Sequence, residues 1–334
     1  MKFGIGLPTC TEGMMYPVPF AGPADLVRVA VEAERLGYHA VMGNDHLTTQ
    51  RYVREAFPDP PAFYEPLVTS AYCAAHTRTI RYMTGVIVMP VHDPVMLAKQ
   101  AATLDQLSGG RLMLGIGVGA YREEFEAVRP ALKGAVRGEM VEEGMAALRL
   151  LFTERRATFA GRHYAFTDVE MYPKPLQQPL PMLSAGNADG SIRRAAELCE
   201  GWLPAAVGPE RIAEGRGRLH RYARAAGRDP AALSVALQLV VCIGRSASQA
   251  REAFLASQLY AHLASLGGST LKDVDTSEYE RINLIGTPDS IRRQVAAYAE
   301  AGVDHLAGLL FVGNTVDEML AQMRLFAETV VSGQ

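Results

Sequence analysis

Short apolar runs alternate along this chain with longer stretches whose apolar residues return every three or four positions. Phe3–Leu7 reads as a strand. Pro23 opens a helix in which Leu26, Val29, Ala33 and Leu36 share one face, with a stop at Gly37. His39–Met42 predicts a second strand, Glu65–His76 a helix, and Arg81–Met89 a third strand. Asp93 is a good N-cap with Pro94 at the first helical position, and that helix runs to the stop Ser108-Gly109-Gly110. Arg111–Ile116 is the fourth strand, and Glu139–Phe152 a strong helix. Residues 154–180 break the rhythm as an irregular excursion with room for a small hairpin. The alternation then resumes: strand Pro181–Ala185, helix Ser191–Cys199, strand Gly201–Pro204, a helix over Arg211–Ala226, and strand Ser234–Ile243. Helices and a loop fill 246–285. Thr287-Pro288 caps a helix ending at Gly302, His305–Phe311 is the eighth strand, and a last helix reaches the C-terminus.

Eight strands, each followed by helix, imply parallel pairing, and eight such units close into a (β/α)8 barrel. A doubly wound sheet with a second domain is the runner-up, but no Gly-, Pro- or Ser-rich linker divides the chain. The rival draws on "GRLMLGIGVGAYREEF", where Gly115, Gly117 and Ala120 satisfy the dinucleotide pattern G-x-G-x-x-(G/A). Context argues against it. The motif follows three complete β/α units, no acid ends a strand about 20 residues on, and a charged helix follows Ala120. In a barrel these glycines stand where strand four emerges, and bare backbone there lets a flat ring approach closely. The plainer alternative is a tight βα turn.

Composition narrows the chemistry by exclusion. The 334 residues carry a net charge of −3, with 49% apolar and 21% charged residues, so neither nucleic acid nor an anionic membrane is an expected partner. No apolar run reaches the roughly 18 residues of a membrane span, and the N-terminus enters a strand too early for a signal peptide. Cys10, Cys73, Cys199 and Cys242 lie far apart, which suggests neither a zinc knuckle nor a disulfide framework. A reduced, cytoplasmic protein without metal is the expectation.

In a barrel, function collects at the C-terminal ends of the strands. Strand two ends Gly43-Asn44-Asp45-His46, where a histidine that titrates near neutrality stands beside a carboxylate; an Asx-type turn is the structural alternative. Thr84-Gly85-Val86 interrupts an apolar strand with a glycine, the mark of a bulge or a close ligand. Ser184-Ala185-Gly186-Asn187, with Gly190-Ser191 opening a helix, offers the small residues of an anion site. Trp202 reads as core. Tyr16, Tyr52, Phe57, Phe63 and Tyr64 in the early loops suggest an aromatic-friendly substrate pocket or lid packing.

Four segments, "AERLGYHAVMGNDHL", "HDPVMLAKQAATLDQLSGGRLMLGIGVGAYREEFEA", "PLPMLSAGNADGSIRRAAELCEGWLP" and "LIGTPDSIRRQVAAYAEAGVDHL", resemble the luciferase-like flavin and deazaflavin oxidoreductases, over nearly the whole chain. The resemblance implies a single barrel domain over 1–334 with insertions at 154–180 and 258–285 (the latter after strand seven), a homodimer, and FMN or coenzyme F420 at the C-terminal mouth. It implies Asp45 and His46 beside the ring, a non-prolyl cis peptide at Gly85-Val86 next to Thr84, and Gly117, Gly119 and Glu123 along the ring or its ribityl chain. Ala185, Gly186, Asn187, Gly190 and Ser191 would hold the phosphate. The Asp-His pair after strand two leans toward F420, with FMN the alternative. Some sugar-phosphate dehydrogenases of the family carry a general-acid glutamate where this chain has Ala120, which argues against that activity. The expected function is hydride transfer between F420 and a small organic substrate, with His46 and Asp45 catalytic. An FMN-dependent two-component monooxygenase and a non-catalytic flavin-binding protein are the alternatives.

Overall fold

The computed structural model describes residues 1–331, and the last three residues of the expected C-terminal helix lie outside them. Eight parallel strands make the barrel: β1 (Lys2–Leu7), β2 (Ala40–Gly43), β3 (Arg81–Thr84), β4 (Leu112–Gly117), β5 (Met182–Ala185), β6 (Gly201–Leu203), β7 (Ser234–Ile243) and β8 (His305–Phe311). Each pairs with the next, and β8 closes on β1 with Lys2 opposite His305 and Ile5 opposite Leu309. The helices pack outside, as the alternating pattern requires.

Local signals set most helix boundaries. The Asp93 carboxylate accepts from the N–H groups of Val95 and Met96, and Gly109, at φ 71°, ends that helix in the left-handed region. Glu65 caps Pro66–Ala74 by accepting from Val68 N–H, and Thr287 caps Pro288–Ala301. Each cap satisfies backbone donors left unpaired in a first turn. The interior of the barrel is filled by Met42, Met83, Leu183, Leu203, Ala236 and Ala307. Met42 lies over the bare backbone of Gly85 and Gly308, a flexible side chain filling space that two missing Cβ atoms leave open.

Two features depart from the regular alternation. The stretch Arg81–Met89 is not one strand. β3 stops at Thr84, the Gly85–Val86 peptide is cis, and Ile87–Val88 then pairs with Ile116–Gly117. The glycine lets the chain turn there: Gly85 N–H donates to Gly43 O, while Val88 N–H is taken by a side chain from β2. The second departure opens the mouth. β7 pairs with β6 at its start, Ser234–Val235 against Gly201–Trp202, and Gln238 bridges Ala205 just beyond β6. Its upper end, Val241–Ile243, pairs instead with the short strand Leu284–Gly286. Residues 154–180 contain the antiparallel hairpin Ala157–Ala160 and Ala165–Val169.

Candidate active site

The strand tops and the loops above them enclose a cavity of about 150 Å³. The segment after β2 supplies Asp45 and His46, the kink after β3 supplies Gly85 and Val86, and the end of β4 with its following turn supplies Gly117 to Tyr121. Ala185 and Gly186 come from β5, Pro204 and Ala205 from β6, and Gln238 from β7. The post-β7 helix Gln258–Ser265 contributes His262.

The glycines form its floor. A Cβ on Gly117 would stand 3.1 Å from Val86 Cγ2 and 3.4 Å from Ala185 Cβ. Gly119 has φ 76°, and a Cβ there would come within 2.7 Å of Val88 Cγ1. Side chains at these two positions would therefore fill the cradle or strain the turn. Arg137 holds the turn in place by donating to the carbonyls of Val118 and Gly119.

His46 is the best-placed titratable group. Its Nδ1 lies 2.8 Å from Glu124 Oε2, and Leu47 N–H donates to Glu124 Oε1 at 2.6 Å. A carboxylate only accepts, so neutral His46 carries its proton on Nδ1 and leaves Nε2 as the acceptor of a ring that lines the cavity. The Gln50 amide lies 3.1 Å from the same Nδ1. Glu124 is 3% exposed at its side chain, which makes the dyad stiff and largely dry. Beyond it, Tyr121 O–H approaches Tyr52 O–H at 3.2 Å, Ser265 Oγ at 3.3 Å and His262 Nδ1 at 3.5 Å. Burial, with the nearby His46, pushes the His262 pKa down to about 3. That ring is neutral at physiological pH.

The candidate anion site contains more than small residues. Helix Asp189–Leu198 starts without a side-chain cap, as does Arg137–Thr153. Between their first turns lies Arg194, 7% exposed, its guanidinium close to where a Cβ on Gly138 or Gly190 would stand. Arg194 Nη2 donates to Ser191 Oγ at 3.3 Å, and its Nε has no partner among the described residues. Two helix N-termini and a buried, half-satisfied guanidinium suit a phosphate. Trp202 is core, yet its Nε1–H fixes the rim by donating to Gly186 O at 2.8 Å.

Of the residues singled out from the sequence, Asp45, His46, Gly85, Val86, Gly117, Gly119, Ala185 and Gly186 line the cavity. Thr84 lies beneath it, tying β3 to β4 through Gly115 O at 2.8 Å. Asn187 joins the top of β5 to β6 through Ala205, while Ser191 and Gly190 sit behind Gly186 beside Arg194. Glu123 requires correction. The helix Arg122–Val128 turns it outward, where it accepts from Arg51 N–H, and the next residue, Glu124, faces His46 instead. Two adjacent glutamates at a helix start look alike in sequence, and only the helix phase chooses between them. Tyr121, Glu124, Arg194 and His262 were missed. Of the early-loop aromatics, Tyr16 is buried with its O–H on Phe311 O, and Tyr52 reaches the site only through Tyr121.

A parallel barrel with a glycine-floored mouth, a histidine–carboxylate dyad and a buried, partly unpartnered arginine beside two helix starts suits a cofactor with a flat ring and a phosphate. The chain belongs to the luciferase-like monooxygenase family, whose sequence profile matches residues 1–305. An uncharacterised protein of Mycobacterium tuberculosis is 33% identical over 172 residues, covering 52% of this chain and 58% of the relative. The chain thus matches little more than half the length of that relative. The FMNH(2)-dependent dimethylsulfone monooxygenase of Pseudomonas putida is 28% identical over 279 residues, 76% of each chain. The F420-dependent glucose-6-phosphate dehydrogenase of Intrasporangium calvum is 31% identical over 188 residues, 54% of each. In three dimensions, monooxygenase RslO1 from Streptomyces bottropensis superposes with a TM-score of 0.80 at 26% identity, covering 100% of this chain and 99% of that one. Among the described residues no helix is long and apolar enough to cross a membrane, and no group of three or more His, Cys, Asp or Glu is placed to hold a metal ion.

Proposed function

We propose that this chain is an oxidoreductase that moves a hydride between coenzyme F420 and a small organic molecule, with His46 as the proton donor or acceptor. The observation that carries the reading is the His46–Glu124 dyad facing a glycine-floored cavity. The cavity residues fit a flat ring: Gly117 and Gly119 leave the floor bare, Val86 and Val88 form a wall, and Arg194 with two helix starts suits the phosphate of the cofactor's tail. When bound, the deazaflavin supplies the hydride-exchanging carbon. The chain's own residues orient the ring, exclude water and offer His46 Nε2 to accept a proton, with Glu124 holding the neutral ring in its Nδ1–H tautomer. Ala120 brings no carboxylate to the cavity it lines, which speaks against sugar-phosphate oxidation. The reading includes a cytoplasmic homodimer of single-domain chains.

FMN is the second reading, supported by the FMNH(2)-dependent relative, which matches over the larger share of the chain. Titrating the protein separately with F420 and with FMN and following absorbance decides between them; F420 is expected to bind more tightly. In His46→Ala, binding of the ring is expected to persist while turnover falls about 10²–10⁴-fold. Full turnover in that variant would remove His46 from the chemistry, and tight binding without turnover by the wild type on any substrate would favour the non-catalytic role.

A further inference from the structure

Asp45 is 2% exposed and lines the cavity beside His46. Its two oxygens live differently. Oδ2 accepts from Val88 N–H at 2.9 Å and from His92 Nε2 at 2.7 Å, while Oδ1 is buried and has no donor among the described residues. A buried carboxylate oxygen without a donor is costly, so the fold retains it where a donor arrives from outside. Three polar neighbours along the cavity are committed elsewhere. His46 donates to Glu124, Asn44 Nδ2 lies against Met15 Sδ, and Tyr121 shares its hydroxyl with Tyr52, Ser265 and His262.

We propose that His92 is a positioning residue: by clamping Asp45 through Oδ2, it presents Oδ1 to an N–H donor on the edge of the planar ring that the cavity binds. His92 is well held for this work. It follows the tight turn Met89–Val91 and directly precedes the N-cap Asp93. Tyr164 O–H donates to Met89 O and Arg129 Nη2 to Val91 O, pinning that turn from two other elements. The charges facing His92 are Asp45, Glu65 and Arg129. Burial pulls its pKa down, but the hydrogen bond and charge of Asp45, with Glu65, outweigh burial and Arg129, and the net shift is upward. That direction favours the protonated ring beside the carboxylate it holds.

The inference rests on the ring-binding reading above, and its experiment separates the two. F420 and FMN are each titrated into wild type, His92→Phe and His92→Gln, with dissociation constants read from absorbance. The ¹⁵N resonance of His92 Nε2 is followed in the wild type during the same titrations. The ring is expected to bind His92→Phe roughly tenfold more weakly, from losing one oriented hydrogen bond to a charged group. His92→Gln, which keeps an N–H donor for Oδ2, should recover most of the affinity, and the His92 resonance should move on binding although the ring does not touch it. A His92→Phe variant that folds and binds like wild type overturns the inference alone. So does a His92 resonance that stays still while the Val86 methyls shift. If neither ring binds the wild type, the functional reading falls and this inference falls with it.

Discussion

Replacing Glu124 by glutamine changes almost no volume, yet it should invert the chemistry of His46. The carboxylate accepts two hydrogen bonds, 2.8 Å from His46 Nδ1 and 2.6 Å from Leu47 N. In Glu124→Gln the amide oxygen can keep Leu47, leaving an NH2 group to face Nδ1. The Gln50 amide already lies 3.1 Å from that nitrogen. Two amide donors then favour a bare Nδ1, so the proton moves to Nε2 and the face toward the cavity changes from acceptor to donor. A hydrogen bond to a carboxylate contributes about 1.5–3 kcal/mol against about 0.5–1.5 for a neutral acceptor, so converting two of them costs roughly 1–3 kcal/mol. Unfolding entropy of about 2.1 cal/mol/K per residue gives ~0.7 kcal/mol/K for this chain, so the midpoint should fall by about 3 °C. Calorimetry reads the midpoint, and long-range ¹H–¹⁵N correlation of His46 at pH 8 reads the tautomer. An unchanged Nδ1–H tautomer with a midpoint within 1 °C of wild type would refute the dyad.

Four further outcomes follow from the same geometry. His39, His262 and His305 have pKa values pushed down to about 4, 3 and 3, in each case chiefly by burial. The unfolded chain therefore binds more protons than the folded one below the ordinary histidine value. Stability should be full above pH 6.5 and fall as the pH drops toward 4, with a slope up to ~4 kcal/mol per pH unit for three protons; urea unfolding at stepped pH measures it, and His305→Gln should remove about one proton from the slope. Gly119→Ala places a Cβ at φ 76° and 2.7 Å from Val88 Cγ1, so it should lose about 1–3 kcal/mol, whereas Gly134→Ala, with open space around it, should stay within about 0.5 kcal/mol in the same denaturation assay. Arg194→Met should weaken binding of FMN at least tenfold and leave riboflavin unaffected, because only FMN carries the phosphate; equal losses for both would contradict the anion site. Tyr121→Phe should cost about 0.5–1.5 kcal/mol through its contacts with Tyr52, Ser265 and His262, with a matching drop in the thermal midpoint.

The sequence by itself determined the succession of elements and the floor of the site. Period-two and period-3.6 patterns, proline and glycine stops, and Asp93, Glu65 and Thr287 as caps are local signals, and hydrogen bonds within a few residues enforce them. The strand-top residues Asp45, His46, Gly117 and Gly186 were legible because a parallel barrel sends every strand's C-terminal end to one rim. Three things needed the tertiary structure. The break of Arg81–Met89 at Gly85 depends on Gly43 O and on Asp45, which reach it from β2. The choice of Glu124 over Glu123 depends on the rotation of a seven-residue helix against the loop after β2. His92 meets Asp45 across 47 residues, the Arg194 guanidinium lies beside Gly138 across 56, and His262 approaches Tyr121 across 141. Side-chain pairing across such separations leaves no periodicity to read. It exists only once the barrel has closed and brought β2, β4 and the post-β7 helix around a single mouth.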